Sequence, residues 1–251
     1  MTKNRIDFNA DLGEGFLFDQ ELMQYISSCN IACGGHTGNE NSMRATLALA
    51  KQNKVTVGAH PSYPDPANFG RKPMDIDLDV LEQSIYFQVA ELLRISKEEN
   101  IKVAYIKPHG ALYNKAAVCK ETAKVIIKVL NLLEADLALM GLPNSELEIL
   151  AIENNITFIK ESFADRRYHA TGKLVSRNNA RAVIHSKEEV WGQLKPILEN
   201  GKAISLEGEQ FSLITDSICF HGDTPEALEL VSYVHAQLLA VNYTIKSSLC
   251  S

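Results

Sequence analysis

Six short apolar runs in this chain each end in a cluster of His, Asp, Glu, Lys and Gly: IDFNADLGEG (6–15), NIACGGH (30–36), VTVGAHP (55–61), AYIKPHG (104–110), TFIKESFADRR (157–167) and SICFHGD (217–223). A run of about five apolar and β-branched residues reads as a strand buried on both faces. Helical patterns separate most of the runs, so the strands are expected to be parallel. In β/α barrels and open α/β sheets, ligands gather at the carboxyl ends of such strands. Four of the seven histidines, His36, His60, His109 and His221, fall at these ends. The clustering points to an enzyme with its chemistry at one mouth.

A chain of 251 residues suits one α/β barrel occupying residues 1–251, since that fold takes roughly 250 residues. The net charge of −6 argues against a nucleic-acid backbone as partner. The five cysteines are odd in number, and Cys29 and Cys33 lack a second such pair, which excludes a zinc ribbon. Cys29 and Cys119 read as reduced thiols. Cys33 and Cys219 lie near strand ends, but no base adjoins either as a nucleophile would require. The start, MTKNRIDFNAD, has no signal-peptide core. No apolar stretch approaches the roughly 20 residues of a bilayer span. A cytoplasmic protein without membrane contact is expected.

Between the strand runs, Asn41 to Asn53 and Leu78 to Glu99 carry apolar stripes at helical spacing. Ser145-Glu-Leu-Glu148 and Ser186-Lys-Glu-Glu189 match the S-x-x-E capping box, and Asp223-Thr-Pro-Glu226 reads as the opening of the last helix. Leu137 to Met140 supplies a seventh strand, and a hairpin is expected at Ala203 to Leu213 around Glu207-Gly208-Glu209.

The clusters translate into chemistry. Asp11 and Glu14 lie in a Gly-flanked turn after the first strand, where a carboxylate pair suits a metal or general acid–base work. The loop holding His36 has three glycines in seven residues and leads into a helix, an arrangement compatible with an anion-binding nest. His36 itself reads equally as a substrate contact or a metal ligand. Neither G-x-G-x-x-G nor a P-loop motif occurs, so any nucleotide is held by other means. His60 opens a long four-proline loop whose Arg71 and Lys72 are placed to close over an anion. Lys107 and His109 share one strand end. Glu161, Asp165, Arg166 and Arg167 follow another, where paired guanidiniums suit phosphate or carboxylate, with a solvated charged face as the plainer alternative. His221 and Asp223 close the set, Asp223 also suiting a helix cap. His169, His185 and His235 lie outside these turns and read as structural.

The segments NADLGEG, NIACGGHTGN, GAHPSYPDPANFGRK, KPHGALYN, ESFADRRY with downstream GKLVSR, and SICFHGD together resemble the LamB/YcsF family over nearly the whole chain. The resemblance implies an irregular, TIM-like β/α barrel of seven strands, of the glycoside hydrolase/deacetylase kind. It implies cleavage of 5-oxo-L-proline to L-glutamate coupled to ATP hydrolysis, with the chain serving as the A component of 5-oxoprolinase beside partner subunits B and C. ATP, with Mg2+ for its phosphates, is then the expected cofactor. A lactam carbonyl is a poor electrophile, and phosphorylating its oxygen turns that oxygen into a leaving group. Cations for the phosphates are offered by Lys107, Arg166, Arg167 and Arg71. Asp11, Glu14, His36, His60, His109 and Asp223 are candidates for the base that activates water.

Two positions depart from the family pattern. Where its histidine loop usually reads ACGFHAGDP, this chain has Gly35, Thr37, Asn39 and Glu40, so Asn39 replaces an acid with a group that carries no charge. Lys72 stands where the family tends to have a second arginine. Two rival functions follow: a metal-dependent deacetylase or amidohydrolase built on Asp11, His36 and His60 around a zinc-type ion, and a non-catalytic regulatory component, prompted by Asn39. A further expectation is geometric: Lys107, Arg166 and Arg167 should converge on one pocket as an anion clamp, with Glu161, Asp165 and Asp11 compensating them when it is empty.

Overall fold

The structure is a computed structural model that describes residues 4–250. In chain order its elements are β1 (Asn4–Leu12), α1 (Asp19–Leu22), β2 (Ser28–Ala32), α2 (Glu40–Asn53), β3 (Thr56–His60), α3 (Leu78–Glu98), β4 (Val103–Ile106), α4 (Gly110–Ala116), α5 (Lys120–Leu132), β5 (Ala138–Gly141), α6 (Glu146–Glu153), β6 (Phe158–Phe163), α7 (Lys187–Asn200), β7 (Lys202–Ile204), β8 (Gln210–Ser212), β9 (Ser217–Phe220), α8 (Ala227–Ala240) and β10 (Tyr243–Ile245). Strands β1 to β6 pair in sequence, all parallel, and β9 closes the cylinder by pairing with both β6 and β1. This is the seven-stranded parallel barrel the apolar runs predict. β7 and β8 form the expected antiparallel hairpin outside it, and β10 adds a short parallel edge to β1.

Strand β1 is fully buried from Ile6 to Leu12, yet it is not uniformly apolar. Phe8, Ala10 and Leu12 belong to the apolar core, while Asp7, Asn9 and Asp11 bond residues across the barrel. Asp7 accepts from Ser28 at 2.8 Å and Ser217 at 2.6 Å. Asn9 donates to Glu161 at 3.1 Å and Ser217 at 2.8 Å. Strand side chains alternate in direction, so one face of β1 lays a polar column down the barrel axis. Burial without hydrogen bonding would be costly for such groups, and their mutual pairing offsets that cost.

The barrel is irregular at a specific place. The β3–β4 register shifts between Val57 and Gly58, and a Cβ on Gly58 would lie 2.2 Å from the Tyr105 ring. Tyr105 crosses the interior over this gap and donates to Asn30 Oδ1 at 2.7 Å. Only a residue without a side chain lets β3 pass beneath that ring.

Helix starts follow local chemistry, with three differences. Asn39 caps α2, two residues ahead of the expected start at Asn41, and forms a reciprocal capping box with Ser42. Ser145 and Ser186 cap α6 and α7, but their Glu partners turn elsewhere. Glu148 accepts from Asn144 N at 2.6 Å, and Glu189 pairs with Arg167 at 2.7 Å. The last helix begins at Ala227 rather than Asp223, whose carboxylate is held by two arginines.

Candidate active site

The carboxyl ends of β1, β3, β4, β6 and β9 deliver Asp11, His60, Lys107, Glu161, Phe163 and Cys219 to one end of the barrel, with Glu14, His36, His109, Asp165 and His221 on the loops that follow. Lys107 is 2% exposed at the centre. Its ammonium donates to Asp11 Oδ1 at 2.9 Å and Glu161 Oε1 at 2.8 Å, with Cys219 Sγ at 3.1 Å and Asn9 Oδ1 at 3.3 Å. Burial would lower its pKa, but Asp11, Cys219 and Glu161 raise it well above the ordinary lysine value. Asp11 is the mirror case: burial opposes ionisation, and His60 and Lys107 nonetheless hold its pKa well below the usual carboxylate range.

Beside this ion pair lies a histidine cluster whose tautomers are dictated by backbone carbonyls. A carbonyl oxygen only accepts, so His60 Nδ1 donates to Lys107 O at 2.8 Å and His109 Nε2 donates to Phe69 O at 3.0 Å. The remaining nitrogens, His60 Nε2 and His109 Nδ1, then face each other at 3.0 Å. Asp11 Oδ2 is 3.3 Å from the first, and Glu14 Oε1 is 3.5 Å from the second. Donor atoms of Asp11, Glu14, His60 and His109 all fall within 4.8 Å of one another. A shared proton satisfies one nitrogen pair, whereas a divalent cation satisfies all four groups. Fixing the outer ring nitrogen on a carbonyl is also how metal-ligating histidines are oriented. The donor set therefore fits a metal.

Of the expected Asp11–His36–His60 triad, Asp11 and His60 lie within this set and His36 borders it. Its Nε2 is committed to Glu14 Oε1 at 2.8 Å, and its ring stacks flat on His109 at 3.7 Å between centroids. It orients Glu14 and backs His109. Burial pushes both imidazoles down and His60 adds like charge to each, while Glu14 opposes the shift of His36. The glycine loop offers no open nest around Gly34, whose N–H is spent on Thr37 O at 2.8 Å.

A second cluster flanks the first. His221 Nδ1 and backbone N both bond Asp165 at 3.0 Å, leaving Nε2 4.0 Å from Asp11 Oδ2. Burial opposes ionisation of Asp165, but His221 and Arg177 keep its pKa low. Asp223 Oδ2 accepts from Arg71 at 2.6 Å and from Arg177 at 2.8 Å.

The three-cation clamp is not what the structure contains. Lys107 is balanced by Asp11 and Glu161 as expected, but Asp165 serves His221 instead. Arg166 is 6% exposed and donates to Val175 O at 2.7 Å. Arg167 turns away to Glu189 on α7. Neighbours in extended backbone point to opposite faces, and the Arg166–Val183 bridge holds this stretch extended, so the two arginines cannot share a pocket. Arg177 takes part instead. It sits far past any strand end, and its only sequence signal was its place in GKLVSR. Lys72 is exposed. All five cysteines are free. Burial raises the Cys33 thiol to about 12 and Cys219 well above its ordinary value, so both are poor nucleophiles. His169 and His185 pair with surface carboxylates, and His235 packs on Tyr25.

Comparison with known proteins agrees with this architecture. A protein from Pyrococcus horikoshii, named as the A component of 5-oxoprolinase, is 40% identical over 239 residues, 93% of this chain and 94% of that one. One of the same name from Acinetobacter baylyi is 39% identical over 248 residues, covering 97% and 98%. The crystal structure of a lactam utilization protein from Thermus thermophilus superimposes with a TM-score of 0.89 at 31% identity, covering 97% of this chain and 99% of that one. Among the described residues, no helix is long and apolar enough to cross a membrane. With the LamB/YcsF sequence profile matching residues 6–249, essentially the whole barrel and every cluster at its mouth, the chain belongs to the LamB/YcsF family.

Proposed function

We propose that this chain is the A component of an ATP-dependent 5-oxoprolinase, opening 5-oxo-L-proline to L-glutamate in the cytoplasm together with partner subunits B and C. The observation that carries the reading is near-full-length identity of about 40% to relatives bearing that name, joined to a buried acid–histidine–lysine centre at the barrel mouth. ATP supplies the γ-phosphoryl group that converts the lactam oxygen into a leaving group. Water then adds at that carbon and the ring C–N bond breaks as the nitrogen takes a proton, leaving a γ-carboxyl phosphate that a second water hydrolyses to the carboxylate and phosphate. His221 is the base for water: Asp165 fixes its Nδ1–H, so Nε2 is free to take a proton. Lys107 helps keep Asp11 ionised and positions both Asp11 and Glu161. Asp11, Glu14, His60 and His109 would hold a divalent ion, which supplies Lewis-acid polarisation of a bound oxygen when present. Coexpression with the partner subunits, followed by measurement of glutamate formed from 5-oxoproline, tests the reading. ATP-dependent turnover that persists without this chain sinks it.

The four-donor cluster favours one alternative, a metal-dependent amidohydrolase that needs no ATP. Stoichiometric zinc combined with ATP-independent lactam hydrolysis by the isolated chain would select it.

A further inference from the structure

Arg71 follows β3 in the chain, Arg177 follows β6 and Asp223 follows β9, and the three meet on a single oxygen atom. Asp223 Oδ2 accepts from Arg71 Nη2 at 2.6 Å and from Arg177 Nη1 at 2.8 Å. The carboxylate is 9% exposed while the two arginine side chains are 36% and 26% exposed. The acid is therefore the floor, and two guanidinium forks reach solvent with donors to spare. A third guanidinium stands near them. Arg166 is 6% exposed, its Nε has no partner, and its pKa is pushed down to about 10 by burial and then by Arg177. Three guanidiniums here are balanced by two carboxylates, Asp165 and Asp223. The rim of the mouth thus carries one uncompensated positive charge beside an unpartnered buried donor.

The rim adjoins the reacting centre on both sides. Arg71 lies over the Phe69 ring at 4.8 Å, and the carbonyl of Phe69 holds His109. Arg177 helps keep Asp165 ionised, and Asp165 holds His221. We propose that Arg71 and Arg177 form a subsite that grips the carboxylate of a carboxyl-bearing lactam, setting the preference for such lactams over neutral ones. The proposal rests on the 5-oxoprolinase reading and names what that site selects. In 5-oxoproline the carboxylate sits on a carbon bonded to the same ring nitrogen as the carbonyl. Holding it at the rim turns the scissile C–N bond toward Asp11, Lys107 and His221. One net positive charge matches one carboxylate. A phosphoryl group brings about two negative charges and would exceed that balance.

The test uses the chain assembled with its partner subunits and compares wild type with Arg71→Ala, Arg177→Ala and Arg177→Lys. KM is measured for 5-oxo-L-proline and for ATP, alongside equilibrium binding of 5-oxo-L-proline and of the neutral lactam 2-pyrrolidinone. Each alanine variant is expected to raise KM for 5-oxoproline on the order of 10- to 100-fold, as loss of a charge-assisted contact implies. The binding preference for the carboxylated lactam should fall by the same factor, while KM for ATP and the melting temperature hold. Arg177→Lys should recover only part, since it restores charge without the fork. A rise confined to KM for ATP, or an unchanged preference in both alanine variants, overturns the subsite and leaves the 5-oxoprolinase reading standing. If the wild-type assembly forms no glutamate, that reading falls and the binding ratio still decides. A preference abolished by both substitutions supports the subsite, and no preference in wild type overturns it.

Discussion

His60 Nε2 and His109 Nδ1 point at each other across 3.0 Å, although each neutral ring gives its single N–H to a backbone carbonyl. With Asp11 and Glu14 beside them, this gathering of acceptors fits a divalent cation.

Protein purified without chelator is accordingly expected to carry about one divalent ion per chain. His60→Ala and His109→Ala should lose it. His36→Ala should keep it with roughly 10- to 100-fold weaker affinity, because His36 acts through Glu14. Elemental analysis and metal titration decide the matter, and apoprotein that binds neither zinc nor manganese would refute the site.

Lys107→Ala should damage folding as much as turnover. The side chain is 2% exposed between Asp11 and Glu161, and removing it leaves two buried carboxylates without their cation. Breaking such a pair costs about 3–5 kcal/mol. Adding Glu161→Gln should recover part of the loss. A denaturant series on the single and double variants measures both, and a Lys107→Ala protein as stable as wild type contradicts the account.

Asp19 introduces a pH dependence. Its carboxylate accepts from Gly13 N at 2.7 Å. Burial, reinforced by Glu14 and Glu21, nevertheless pushes its pKa up to about 6 from an ordinary 3.8. A raised carboxylate contributes stability that is complete below the unfolded value and fades as pH rises through the folded one. Asp19→Asn keeps the acceptor without the charge. It should therefore gain stability relative to wild type as pH rises from the unfolded value through the folded one, and urea midpoints that differ by a constant amount across that range would exclude the effect.

Asn39 in place of the family acid should be harmless. Its side chain accepts from Ser42 N at 3.1 Å as the cap of α2, and Asn and Asp are equivalent caps. Asn39→Asp should leave turnover and melting unchanged, while Asn39→Ala should lose about 1 kcal/mol of stability and keep the KM of the assembly. An Asn39→Asp chain with clearly greater turnover would restore the acid to the chemistry.

Gly58→Ala should be among the most damaging small substitutions. The added methyl would sit 2.2 Å from the Tyr105 ring, and Tyr105 cannot retreat without releasing Asn30 and the Cys29 carbonyl. Overpacking of this kind costs about 3 kcal/mol, readable as a lowered melting temperature.

Much of this was legible in the chain itself. The period of the apolar runs and the helices between them determine a parallel barrel, because a strand buried on both faces advertises itself locally. The polar residues ending each run place Asp11, His60, Lys107, His109, Glu161 and His221 at one mouth for the same reason. Alternation along β1 was less visible, since Asp7 and Asn9 interrupt what reads as an apolar run and their partners on β2, β6 and β9 are distant in sequence. What only the tertiary structure decided is who faces whom. Closure of the barrel set His109 against His60 and His36 on Glu14. An extended backbone sent Arg167 outward to Glu189, and a loop far from any strand end brought Arg177 to Asp223. Periodicity encodes the face a side chain occupies. Strand register and the path of the loops set its partner across the barrel, and both arise only when the ring of strands closes.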